Sequence, residues 1–123
     1  MEHQEFKLIV AGGRDFDDYT MLHSELMRLA STEYHDKKVS IVSGMARGAD
    51  SLAVRFAEVE RICLYKFPAD WGKYGKRAGF IRNEEMGQFA DGLLAFWDSQ
   101  SRGTKHMIDY MKRLGKPVHV QLY

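Results

Sequence analysis

Short apolar runs alternate with amphipathic segments along this 123-residue chain, and that alternation constrains its fold more than any other feature. The apolar runs predict five strands, at residues 6–11, 39–43, 62–67, 92–97 and 118–122. Apolar residues at helical spacing predict four helices between them. Strict alternation of this kind indicates parallel strands joined by crossover helices. We therefore expect an α/β, Rossmann-like three-layer fold whose five-stranded parallel sheet has the order 3-2-1-4-5.

Each predicted helix presents one apolar face to the sheet. The inner faces are expected to carry Leu22, Leu26 and Leu29 in the first helix, Leu52, Phe56 and Val59 in the second, Ile81, Met86, Phe89 and Ala90 in the third, and Met107, Ile108, Met111 and Leu114 in the fourth. Asp17 or Asp18 is expected to cap the first helix, and Asp50 or Ser51 the second. By length, residues 1–123 are expected to form one domain.

Charge and composition restrict the partners and the location. The 18 Lys and Arg residues nearly balance the 17 Asp and Glu residues, which argues against nucleic acid as a partner, because DNA-binding domains usually carry a basic excess. No apolar run approaches the roughly 20 residues that span a membrane, and residues 1–5 lack a signal peptide's apolar core. The lone cysteine, Cys63, is expected to be buried. We expect a cytoplasmic protein with no membrane partner.

Four clusters of glycine, arginine and small polar residues interrupt the apolar pattern, at residues 12–15, 43–50, 68–83 and 97–104. Each follows the carboxyl end of one of the first four predicted strands. Ligands of open α/β sheets bind at that edge. One glycine-rich turn would indicate little, whereas four at the same edge indicate a ligand site.

The first cluster places Gly12 and Gly13 between a strand and a helix, where the backbone can approach an anion closely. Arg14 is a candidate for a bidentate phosphate contact. Asp15 is a candidate for binding a ribose hydroxyl or for holding Arg14. Taken alone, the turn is equally compatible with tight packing beside a solvated arginine.

In the second cluster, Gly44 and Gly48 bracket a loop that leads into a helix. Ser43 offers a hydroxyl group and Arg47 a guanidinium group to a ligand. Asp50 has two interpretations, as the cap of the helix or as the acceptor of a hydrogen bond that orders the loop.

In the third cluster, Trp71 and Tyr74 are candidates for stacking on a base, or they cover an edge of the core. Arg82 and Asn83 are expected in the first turn of a helix. A cation there opposes the helix dipole, which favours a functional role for Arg82.

The fourth cluster runs from Trp97, at the end of a strand, into a helix. The amides of Gly103 and Thr104, with the Thr104 hydroxyl group, are candidates for a second phosphate cradle. The alternative is that Thr104 is an ordinary helix cap behind a glycine.

Five segments carry a family resemblance in order along nearly the whole chain: Gly13-Arg14-Asp15-Phe16, residues 43–50, 68–71 and 75–86, and Ser101-Arg102-Gly103-Thr104. They resemble the YspA-like branch of the SLOG superfamily, whose relatives include the Lonely Guy type phosphoribohydrolases and the DNA-processing protein A domain. The resemblance implies binding of a nucleotide or a nucleotide-derived phosphate ligand, as a sensor or ligand-capture module. It also implies a homodimer formed through helices beside the site.

The phosphoribohydrolases suggest an alternative function, cleavage of an N-glycosidic bond. Their arginine and methionine after the third strand resemble Arg82 and Met86, and their Gly-Thr motif resembles Gly103-Thr104. Their catalytic glutamate has no counterpart in the residues that follow, which are Lys105, His106 and Met107. His106 is interpreted as solvent-facing. An enzyme would therefore use Arg82 with a loop carboxylate, for which the candidates are Asp15, Asp50 and Asp98.

No cofactor is certain from the sequence. The five histidines show no ligand spacing with one another or with Cys63, so no metal site is predicted. The acidic residues at 15–18 could contact Mg²⁺ carried by a nucleotide. The expected partner is a nucleotide-like small molecule, bound with or without Mg²⁺.

Overall fold

The computed structural model of the chain describes residues 3–123; Met1 and Glu2, part of the polar N-terminal segment, lie outside the described residues. The strands are β1 (Gln4–Gly12), β2 (Lys37–Ser43), β3 (Leu64–Lys66), β4 (Gly92–Trp97) and β5 (Val118–Leu122). The helices are α1 (Tyr19–Ser31), α2 (Ala49–Val59), α3 (Trp71–Tyr74), α4 (Ala78–Phe89) and α5 (Arg102–Arg113), with a 3-10 turn at Gly75–Arg77.

All five strands pair in parallel in the order β3-β2-β1-β4-β5, which confirms the predicted fold class and strand order. β1 lies at the centre, paired with β2 on one side and β4 on the other. The order reverses between β1 and β4, where Gly12 is in register with Phe96. The chain therefore leaves these two strands toward opposite faces, and a crevice opens between them.

Alternate residues of the strands supply two cores, one on each face of the sheet. On one face, Leu8 and Val10 of β1 pack with Leu22 of α1 and Phe56 of α2. On the other face, the core combines Ile9, Leu93, Met86, Met107 and Met111 with their neighbours from α4 and α5. The sheet is thus covered on both faces, as its near-continuous apolar strands indicate.

Three predicted inner-face residues are instead exposed: Val59 by 62%, Phe89 by 37% and Leu114 by 41%. Each stands at the C-terminal end of its helix, although Phe89 still contacts Tyr65 and Phe67 at the edge of the sheet. Cys63 is also exposed, contrary to the prediction. It precedes β3, which is an edge strand of only three residues rather than the six predicted.

The helix caps agree with the prediction in α1 and differ in α2. The Asp18 carboxylate accepts a hydrogen bond from the amide of Met21, at 3.0 Å, and so caps α1. Gly48, rather than Asp50 or Ser51, precedes α2. Among residues 3–123, no helix has both the length and the apolar character needed to cross a membrane.

Candidate functional site

A cavity of about 460 Å³ opens at the carboxyl edge of the sheet, over the crevice between β1 and β4; we call it the main cavity. The predicted site residues that line it are Gly12, Gly13, Arg14, Asp15, Asp50, Trp71, Arg82, Asn83, Gly103 and Thr104. They come from all four predicted clusters. The fold therefore brings together segments that lie far apart in the sequence.

A smaller cavity of about 260 Å³ adjoins the main cavity; we call it the arginine cavity. Gly44 and Arg47 line it, and Arg14, Trp71 and Arg82 line both cavities. Four predicted site residues, Ser43, Gly48, Tyr74 and Trp97, lie outside both linings. The contacts of Ser43, Gly48 and Trp97 show that these three hold the loops in place.

Gly48 allows the loop after β2 to pack closely against the loop after β1. Its φ of +78° lies in the region that favours glycine, and a Cβ atom there would overlap Gly13 and Arg14. The adjacent amide of Ala49 donates to the carbonyl oxygen of Gly13, at 3.3 Å. The two loops consequently form one continuous wall of the main cavity.

Ser43 orders the loop after β2 from within. Its hydroxyl group donates to the backbone oxygen of Asp50 and accepts from the amide of Met45, both at 3.1 Å. Met45 has a φ of +63°, a strained conformation for a side chain of this kind. These contacts fix the loop without leaving the Ser43 hydroxyl group for a ligand.

Asp50 is a buried carboxylic acid, and the loop-ordering interpretation of this residue is the one the geometry supports. Its Oδ2 atom accepts from the amide of Ala46, at 3.3 Å, while its side chain is only 5% exposed. Burial raises the pKa of Asp50 to about 6, although the nearby Arg82 guanidinium group opposes the shift. Asp50 thus keeps its proton to a higher pH than an ordinary aspartic acid.

Arg82 lies in the second turn of α4, not in its first turn as predicted. Its Nη1 atom donates to the carbonyl oxygen of Gly44, and its Nε atom donates to Asn83 Oδ1. Burial lowers the pKa of Arg82, whereas Asp50 acts to raise it. The position of Arg82 is therefore explained by its contact with the loop after β2 rather than by the helix dipole.

Asn83 connects α4 to α5. Its Nδ2 atom donates to the carbonyl oxygen of Gly103, at 3.2 Å, and to His106 Nδ1, at 3.3 Å. The His106 ring packs at a tilt against Phe80, with centroids 4.5 Å apart, and its Nε2 atom lies 3.4 Å from Glu84. His106 is therefore partly buried between two helices, not solvent-facing as predicted.

The loop after β4 is built around Asp98. Its Oδ1 atom accepts from the amides of Gln100 and Ser101, at 2.9 and 2.8 Å, and these bonds lower the pKa of the carboxyl group. The Trp97 indole donates to the backbone oxygen of Ser101, at 3.1 Å. Trp97 therefore orders this loop from outside the cavity.

The start of α5 excludes the cap interpretation of Thr104. Ser101 is the helix cap, and its hydroxyl group accepts from the amide of Thr104 at 3.4 Å. The Thr104 hydroxyl group lies 3.0 Å from the same Ser101 oxygen. Thr104 is thus engaged within the loop, whereas Gly103 stands exposed in the first turn, where helix amides lack intrahelical partners.

Asp15 contacts Tyr123 rather than Arg14. The Tyr123 hydroxyl group donates to Asp15 Oδ1, at 2.6 Å, and the Tyr123 ring packs edge-on against Phe16. Burial and the Asp15 carboxylate raise the pKa of Tyr123. This contact holds the loop after β1 against the end of the sheet.

Sequence reasoning missed the aromatic side of the main cavity. Phe80, 46% exposed, lines it together with Lys76. No sequence pattern identified Phe80 as a site residue, because one exposed aromatic residue in a helix fits no motif. Among residues 3–123, no group of His, Cys, Asp or Glu is arranged to hold a metal ion.

Comparisons with known proteins agree with this architecture. A model of the family described as YspA, cpYpsA-related SLOG matches residues 6–74. Gene 61 protein of Mycobacterium phage D29 is 34% identical over 120 residues, which cover 91% of this chain and 93% of the phage protein. The structure of DNA processing protein A from Helicobacter pylori matches 94% of this chain with a TM-score of 0.60 and 17% identity. This chain spans 64% of the length of that protein, and at this identity the match shows a shared fold.

The charge-based argument against nucleic acid as a partner is wrong. DNA processing protein A has the same fold and is described by its single-stranded DNA binding mode. A net charge of +1 does not exclude such a partner, because local arginine clusters, not the net charge, contact phosphate groups.

Proposed function

The chain belongs to the YspA, cpYpsA-related SLOG family, and on that premise we propose that it binds a nucleotide unit through its phosphate group at the carboxyl edge of the sheet. The main cavity, at about 460 Å³, falls within the roughly 300–1,000 Å³ of small-molecule sites. The proposal rests on one observation above all. Arg14 and Arg82, from separate segments, converge on this cavity beside the exposed start of α5.

The aromatic residues support a nucleotide rather than a bare anion. Trp71 is 51% exposed and Phe80 is 46% exposed, and both line the main cavity. Exposed aromatic faces beside cations are the arrangement on which bases stack while their phosphates are neutralised. Asp15 and Asp98 line the same cavity and offer acceptors for ribose hydroxyl groups.

The nucleotide unit is either free or part of a single strand. The single-stranded DNA binding described for DNA processing protein A supports the second form. Stacking platforms and arginine contacts serve both forms, because the backbone phosphate and the base face are common to them. The test therefore includes a probe of each kind.

Calorimetric titration with AMP and with a short 5′-phosphorylated oligothymidylate tests the proposal. We expect at least one probe to bind, and Arg14→Gln to weaken its binding about ten- to hundredfold, because a charge-assisted hydrogen bond contributes about 1.5–3 kcal/mol. Arg113→Gln is the matched control, since Arg113 lies at the far end of α5. Equal affinities in the two variants, or no binding of either probe, would refute the proposal.

A second candidate function, hydrolysis of an N-glycosidic bond in a nucleotide, is favoured by the pKa of Asp50. A buried carboxylic acid with a pKa of about 6, lining a cavity beside an arginine, is suited to donate a proton to a leaving base. Water would then complete the cleavage to free base and ribose phosphate.

Mass analysis after incubation with nucleoside monophosphates and NAD, with and without Mg²⁺, tests this second candidate. Release of a free base that stops in Asp50→Asn would support it. Recovery of every nucleotide intact would refute this second candidate.

A further inference from the structure

The arginine cavity differs in charge from the main cavity beside it. Its lining contains Arg14, Arg47 and Arg82 and no carboxylate. The main cavity instead mixes cations with the carboxylates of Asp15, Asp50 and Asp98. Positive charge is therefore in excess at the smaller cavity, where Asp50, which lies behind Gly44, is the carboxylate that acts on Arg14 and Arg82.

Two of the three guanidinium groups are available to a ligand. Across residues 3–123, the side chains of Arg14 and Arg47 form no salt bridge within 4.0 Å. Both residues are exposed at the cavity. An anion entering there would gain charge-assisted hydrogen bonds without displacing an existing partner.

The third guanidinium group, that of Arg82, is fixed in advance. It donates to the carbonyl oxygen of Gly44, and the missing side chain of Gly44 leaves the space it occupies. Met45, at a φ of +63°, holds the neighbouring backbone in a strained conformation. This wall of the cavity is consequently built before any ligand arrives.

The size of the arginine cavity suits one group of a ligand rather than a whole ligand. Its volume of about 260 Å³ lies below the roughly 300–1,000 Å³ of complete small-molecule sites. It adjoins the main cavity, with Arg14, Trp71 and Arg82 shared between the two linings. One molecule can therefore occupy both.

We propose that the arginine cavity is a second phosphate subsite, so that the ligand carries two phosphate groups, one in each cavity. The inference rests on the proposed function of the main cavity. Two sources share this chemistry: a nucleoside diphosphate, and a 5′-phosphorylated dinucleotide that represents the end of a strand.

Arg47→Gln tests the proposal, because Arg47 lines the arginine cavity but not the main cavity. Affinities are measured for AMP, ADP and a 5′-phosphorylated deoxyadenosine dinucleotide. In the unaltered protein we expect ADP or the dinucleotide to bind more tightly than AMP. Arg47→Gln should reduce the ratio of the ADP or dinucleotide affinity to the AMP affinity about tenfold. Arg113→Gln should leave this ratio unchanged.

The outcomes separate the two proposals. A reduced ratio for ADP alone identifies the diphosphate as the ligand class, and a reduced ratio for the dinucleotide alone identifies the strand end. If AMP binds but no probe with two phosphates binds more tightly, or if Arg47→Gln leaves the ratio unchanged, the second subsite is overturned and the proposed function stands. If no nucleotide binds the unaltered protein, both proposals fall.

Discussion

Arg82 and Asp50 approach the same side of Gly44. A Cβ atom on Gly44 would lie 2.7 Å from Arg82 Nη1 and 2.9 Å from Asp50 Oδ2. Gly44→Ala should therefore displace the guanidinium group and lower the free energy of unfolding by about 1–3 kcal/mol. Urea unfolding measures the change.

Gly103→Ala is the matched control for that substitution. A Cβ atom at Gly103 would meet nothing within 4 Å, and the residue lies in the first turn of α5. Alanine should leave stability unchanged or raise it by up to about 1 kcal/mol, because glycine is a poor helix former. Equal destabilisation by both alanines would contradict the crowding described at Gly44.

The pKa of Asp50 predicts a pH dependence of stability. Because the folded-state pKa of about 6 lies above the ordinary value of 3.8, the folded protein holds an extra proton between these values. The contribution of Asp50 to the free energy of unfolding should then fall as pH rises from 4 to 6, by up to about 3 kcal/mol. Urea unfolding at a series of pH values measures it.

Asp50→Asn isolates that contribution from the other carboxyl groups. Its Oδ1 atom can still accept from the amide of Ala46, but it cannot ionise. The difference in stability between the unaltered protein and the variant should favour the variant increasingly as pH rises. A difference that is constant across pH would show that the pKa of Asp50 is not raised.

Removal of the hydroxyl group should affect stability differently at Tyr123 and at Tyr19. The Tyr123 hydroxyl group donates to Asp15, so Tyr123→Phe should lower the free energy of unfolding by about 0.5–1.5 kcal/mol. Tyr19 has a buried hydroxyl group with no hydrogen-bond partner among the described residues, so Tyr19→Phe should be neutral or stabilising. Thermal unfolding of both variants provides the comparison; a larger loss for Tyr19→Phe would refute the assignment.

Trp71 should report ligand binding by fluorescence. It lines both cavities, whereas Trp97 lies outside them and supplies a reference emission. If a base stacks on Trp71, Trp71→Leu should weaken binding of a nucleotide probe by about 1–3 kcal/mol, and Trp71→Phe should restore part of the loss. Unchanged affinity in Trp71→Leu would exclude this residue as the stacking surface.

The sequence predicted the fold because the determinants of the fold are local. The run Leu8-Ile9-Val10 alternates between the two cores, as a strand buried on both faces must. Helical spacing likewise identified Leu22, Leu26 and Leu29. The prediction failed at Val59 and Leu114, because periodicity does not show where a helix extends past the sheet.

The position of the main cavity could be predicted from the sequence, but its lining only in part. Gly12 and Gly103 reach one cavity because strand ends meet at one edge, which the alternation already implies. The role of Asp50 depends on its burial and on Arg82, a contact between distant segments that no local pattern encodes. Phe80 likewise becomes a lining residue only through the placement of α4.

The contact of Gly48 and Ala49 with Gly13 affects the entropy of ligand binding. The bond from Ala49 to Gly13 joins the loops after β1 and β2 and restricts the conformations open to them in the absence of ligand. A ligand would then lose little affinity to ordering the protein, and most of its unfavourable binding entropy would come from its own loss of freedom.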